Sequence, residues 1–264
     1  MENTKKSFPI ASVLFILYFI ANLVRISLNA ISNIISYTEN GTSVFTSFLY
    51  EIPLISAILF LIPFLLVGFF SLKASQKPNI GYIISLALTI FVPCISIVGT
   101  IIFITLPSAY MSASSISTIV ANSFFFIALV TALAYAIIAK ASKKPSKLFK
   151  LWFLFPVPSV IYFITQAIAS SISIAGAIET YMAYTPYSYA PGVLSGIFSL
   201  YNERTYEETI TYLIFHISGA VLLVLGILIL TTAFFCISRQ FAKVNKSLVI
   251  AEKNDPEEAP EITE

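Results

Sequence analysis

The stretch FPIASVLFILYFIANLVRISLNAISNIIS, residues 8–36, decides the fold. It is long and apolar enough to span a bilayer, yet it places an arginine among asparagines. At 100° of turn per residue, Asn22, Arg25, Asn29, Asn33 and Ser36 fall within a wedge of roughly 80°, with Tyr18 on the same face. A polar stripe on a membrane helix needs a polar neighbour, so the expectation is a bundle.

The rest of the chain agrees. With 58% hydrophobic and 11% charged residues and a mean hydropathy of +0.90, it cannot cover itself with a water-facing polar surface. The reading is an all-α polytopic membrane protein, a bundle of six transmembrane helices near 8–36, 48–72, 80–106, 114–140, 148–178 and 208–240. These make one transmembrane domain, residues 1–246. Lys5 and Lys6 precede an apolar run that is too long for a signal peptide and lacks a small-x-small cleavage site, so the first span is read as uncleaved.

Charge sets the expected orientation. Lys5, Lys6, Lys73, Lys77, the cluster Lys140 to Lys150, Arg239, Lys243 and Lys246 share one side, whereas the other offers Arg204 with Glu39, Glu51, Glu179, Glu203, Glu207 and Glu208. That asymmetry places both termini in the cytoplasm of a cell crossed at its plasma or bacterial inner membrane. The lysine cluster should attract anionic headgroups and is a topology determinant rather than a nucleic-acid site.

Several features shape the bundle. Pro63, Pro93 and Pro158 should bend their helices near mid-depth. Ala128, Ala132 and Ala136, at four-residue spacing, let another helix approach closely, and Gly219 and Gly226 offer a looser version of the same surface. Lys73-Ala-Ser-Gln-Lys-Pro-Asn79 resembles Lys140-Ala-Ser-Lys-Lys-Pro-Ser146, which suggests tandem copies of one hairpin or merely a shared need for basic, proline-ended turns. The long outside loop 179–207 opens on Tyr181, Tyr184, Tyr187 and Tyr189, suited to the headgroup layer, and then offers a short surface helix over 191–201. Residues 247–264 read as a disordered acidic cytoplasmic tail.

Chemistry is sparse. Cys94 and Cys236 both lie in apolar runs and read as buried hydrophobes; with a single histidine, His216, no protein-built metal centre and no cofactor are expected. No phosphate-binding loop, zinc-protease motif, nucleophile elbow or intramembrane pair of acids occurs, so catalysis is not expected. Polar residues instead recur in the outer half of several spans. The fifth carries Ser159, Tyr162, Gln166, Ser170 and Ser173 on one face; Thr118 and Asn122, Ser96 and Thr100, and Tyr212 and His216 come from others. The expected site is an outward-facing pocket lined by Arg25, Asn29, Glu51, Asn122, Gln166 and His216. Arg25 would pair with an anionic group of a small solute, or with Glu51. Without an ATP site of its own, such a transporter would need an ion gradient or a partner subunit. The alternative is a non-transporting accessory protein whose polar faces bind other membrane proteins.

Overall fold

The computed structural model describes residues 7–39, 52–73, 78–105, 113–141, 153–187 and 206–254. It is all-helical: α1 (Ser7–Glu39), α2 (Ile52–Lys73), α3 (Ile80–Thr105), α4 (Ala113–Ala141), α5 (Pro156–Tyr187) and α6 (Tyr206–Asn254). Five of the six are long and apolar enough to cross a membrane. In α2 the apolar stretch found among the described residues, Ala57–Lys73, falls just short.

Each helix packs against its neighbour in sequence, and α1 closes the ring against α6, with a smaller contact between α4 and α6 across it. The α1–α6 seam explains the stripe. Phe15 meets Phe234 edge-on, with ring centres 6.1 Å apart. A β-carbon on Gly226 would stand 3.0 Å from Asn22 Nδ2, and one on Gly219 would stand 3.3 Å from Asn29 Oδ1. Positions 15, 22 and 29 of α1 thus run antiparallel to 234, 226 and 219 of α6, intervals of seven on α1 and of eight and seven on α6 that keep one face turned to its partner. The seven-residue interval between Gly219 and Gly226 gives the asparagines room.

The contact also shows that the start of α1 and the last third of α6 lie at one end of the bundle, called here the near end. On the other flank of α1, Ser12 Oγ donates to the Gly68 carbonyl of α2 at 2.5 Å. A β-carbon at Gly68 would meet Phe15 Cβ and the Ser12 carbonyl at 3.2 Å, so a side chain there would require the two helices to give by a few tenths of an ångström. Ala128, Ala132 and Ala136 are all buried, as their spacing implies.

Aromatic rings fill the middle. Tyr18 of α1 packs on Phe64 of α2, Phe64 stacks on Phe125 of α4, and Phe125 stacks on Tyr162 of α5, with ring centres 5.0, 6.1 and 4.7 Å apart. Towards the near end a second group, Phe15, Tyr135, Phe155, Phe234 and Phe241, continues the core.

Several boundaries differ from expectation. α5 begins at Pro156, not near 148, so Pro158 sits in its first turn, where the missing amide donor costs nothing, and is no mid-helix bend. Pro63 and Pro93 do lie inside α2 and α3. α5 then runs on to Tyr187, so the tyrosine run up to that residue is helical rather than loop. α6 continues to Asn254 because nothing after Gly226 interrupts it before Pro256; residues 247–254, expected in the tail, are helix. At 49 residues it is about 73 Å long, far more than a bilayer core of about 30 Å needs. The surface helix over 191–201 and the rest of the tail lie outside the described residues.

The hairpin between α2 and α3 is locked by one side chain. Asn79 Oδ1 accepts from the Tyr82 amide at 2.7 Å, capping α3, while Asn79 Nδ2 donates to the Phe70 carbonyl at the end of α2 at 3.0 Å. The similar phrase at 140–146 lies mostly outside the described residues; α3 starts directly after Pro78-Asn79, whereas α5 starts ten residues after Ser146.

Candidate functional site

Arg25 is set by the register of α1. It lies seven residues beyond Tyr18 and so on nearly the same inward face, about 10 Å further from the near end. Arg25 lies within Ile10–Ile31, the apolar stretch found among the described residues of α1. Side chains on a helix lean towards its N-terminus, here towards the bundle centre. Arg25 Nε donates to Asn22 Oδ1 at 3.3 Å, and Asn22 Nδ2 donates to the Tyr18 carbonyl at 3.0 Å.

The other described residues of the expected site lie in the same half of the bundle. Gln166 is half-buried on α5, one turn beyond Tyr162 on almost the same face. Asn122, one turn from Phe125 on α4, is half-buried and donates to Ser96 Oγ of α3 at 3.0 Å and to the Thr118 carbonyl at 2.9 Å. His216 of α6 shares a hydrogen bond with Ser173 of α5, with Nε2 and Oγ 2.9 Å apart. Asn29 faces Gly219. Glu51 lies outside the described residues, and with it the Arg25–Glu51 pair; the side chains of Asn33, Ser36 and Tyr212 do as well.

The residues therefore share the far half of the bundle, and the bonds seen tie them to adjacent helices: α3 to α4 through Asn122, α5 to α6 through His216. Sequence reasoning omitted Tyr18, Asn22 and Tyr162 from the site, although they sit on the two stripes that pointed to it. In the structure all three are buried, and the register places them beneath Arg25.

Exposure beyond these residues is mixed. On α5 Tyr162 is 8% exposed, Gln166 is half-buried, Ser170 is buried and Ser173 is exposed. On α1 Tyr18 and Asn22 are buried, whereas Arg25 and Asn29 are half-buried. Phe125 and Ala121 of α4 are buried, and Asn122 and Thr118 are not. Among the described residues the far half thus holds Arg25 with partly exposed Gln166, Asn122 and His216, beyond the aromatic row. No group of three metal-ligating side chains occurs among them, and both cysteines are free thiols. Comparison with protein-family models, with curated proteins and with solved structures returned no match.

Proposed function

We propose that this protein binds a small anionic solute in the far half of its bundle, as the recognition step of membrane transport, with Arg25 as the counter-charge. What carries the reading is the position of Arg25: half-buried, inside the apolar segment, turned towards the bundle centre, with Asn22 as its hydrogen-bond partner. A cation held at that depth is costly unless an anion reaches it. Asn22 and Gln166 would orient the bound group, and the aromatic row would close the path beneath it. The charge asymmetry of the connecting segments supports a cytoplasmic near end, which makes the far half outward-facing in a plasma or bacterial inner membrane.

A second reading has its own support. Asn22 against Gly226, Asn29 against Gly219, Asn122 with Ser96 and Ser173 with His216 are all contacts that hold helices together, and an accessory protein would need no more. One experiment separates the two. Thermal unfolding of the purified protein is followed across carboxylates, phosphates, amino acids and neutral controls, with Arg25→Gln and Arg25→Lys beside the wild type. At about 100 times its dissociation constant a ligand stabilises by roughly 2.7 kcal/mol. Stabilisation by an anion that is lost in Arg25→Gln and weakened in Arg25→Lys supports binding. No anion effect on the wild type, with Arg25→Gln itself unstable, makes Arg25 structural and favours the accessory role.

A further inference from the structure

At the near end, three helices change character along their lipid-facing sides within about one turn. On α2 the exposed Phe69 and Leu72 are followed by exposed Lys73, whose ammonium lies 4.6 Å from the centre of the Phe69 ring. On α4 the exposed Ile137 is followed by exposed Lys140, three residues on. On α6 the exposed Phe235 is followed at i+4 by exposed Arg239, and Lys246 is exposed two turns further. Positions three or four apart share a helix face, so each cation continues the very strip that meets lipid tails. Lys73, Lys140 and Arg239 are therefore held at the rim of the apolar belt, and Lys246 lies about 10 Å beyond Arg239 on the same face of α6. The ammonium over Phe69 shows how: the stem lies along apolar surface while the charge stays at its edge.

None of the described side chains at this end is acidic. A ring of cations at the depth where hydrocarbon gives way to headgroups, without carboxylates among them, matches the phosphate of a lipid carrying net negative charge. We propose that Lys73, Lys140, Arg239 and Lys246 form a binding surface for anionic phospholipid headgroups around the near end of the bundle. The surface is separate from Arg25, on the other side of the aromatic row, and does not depend on the solute reading.

The test uses the full chain in bilayers of phosphatidylcholine alone or mixed with phosphatidylglycerol. Association of spin-labelled phosphatidylglycerol with the wild type should exceed that of spin-labelled phosphatidylcholine by about two- to fivefold and fall as salt rises. In the variant carrying Lys73→Gln, Lys140→Gln, Arg239→Gln and Lys246→Gln the preference should drop towards one. Double variants, Lys73→Gln with Lys140→Gln and Arg239→Gln with Lys246→Gln, each losing part of it, serve if the fourfold variant does not fold. Inorganic phosphate at matched ionic strength distinguishes the lipid from a free anion and should leave the preference in place. Equal association of the two lipids with the wild type overturns the proposal, as does a preference undiminished in the variants or one abolished by phosphate alone.

Discussion

Gly226 is the tightest point of the α1–α6 seam, and its neighbour there is the amide of Asn22, itself bonded to the Tyr18 carbonyl. A side chain at 226 has to push that amide off its bond or drive the helices apart. Gly226→Val should therefore destabilise the protein by about 1–3 kcal/mol, the usual range for overpacking. Gly68→Ala should cost a similar amount, because two of the atoms it would meet are a carbonyl oxygen and a β-carbon that cannot rotate away. Gly99 is the internal control: a β-carbon there meets nothing within 4 Å, so Gly99→Ala should be neutral or stabilising by up to about 1 kcal/mol through helix propensity. Unfolding in detergent as a function of denaturant ranks the three, and a Gly99→Ala loss as large as that of Gly68→Ala would refute the seam argument. Of these glycines only 219 and 226 stood out in the sequence, and there as a loosely spaced pair. Gly68 had no repeat to reveal it, since its reason is Ser12 on another helix.

At the scale of elements, Asn79 shows what a short connection can do. One side chain caps α3 and ties off α2, and Gly81 leaves room for the Phe70 ring, whose atoms would otherwise sit 2.5 Å from a β-carbon. Asn79→Ala should cost about 0.5–2 kcal/mol from the cap alone, whereas Asn79→Asp keeps the acceptor for the Tyr82 amide and loses only the donor to Phe70. The expected order of melting temperatures is wild type, then Asp, then Ala; Asp at or below Ala would mean that the tie to α2 matters more than the cap. Element existence was legible throughout because apolar runs of this length permit little else. Their ends were less so. The start of α5 turned on whether Pro156 and Pro158 lie within or at the head of a helix, which composition does not state. The reach of α6 turned on the lack of a stop signal between Gly226 and Pro256, a weaker mark than a helix breaker.

For the molecule as a whole, the aromatic row is the feature on which function hinges. Tyr18, Phe64, Phe125 and Tyr162 come from four helices, and no local pattern in any one of them announced that they meet. The polar stripes were legible as stripes, but whether they converge is a matter of register between helices, which lies beyond periodicity. The row lies between a far half that holds Arg25 and Gln166 and a near half packed with Phe15, Phe155, Phe234 and Phe241. If the far half is a solute site, it must admit water while the row keeps water out of the near half. In a background with Cys94 and Cys236 replaced, a cysteine at Gln166 should therefore react with a membrane-impermeant thiol reagent added from the far side. A cysteine at Ser159, buried one turn on the other side of Tyr162 and next to Thr231, should not. Phe125→Ala removes the ring between Phe64 and Tyr162, at a cost of about 3–5 kcal/mol if the gap does not close, and should raise labelling at 159 without changing it at 166. Equal protection of 166 and 159 in the otherwise intact bundle would mean a dry interior, in which the stripes only hold helices together. Equal labelling of both would mean that the row is no barrier, and a site resting on it would have no floor.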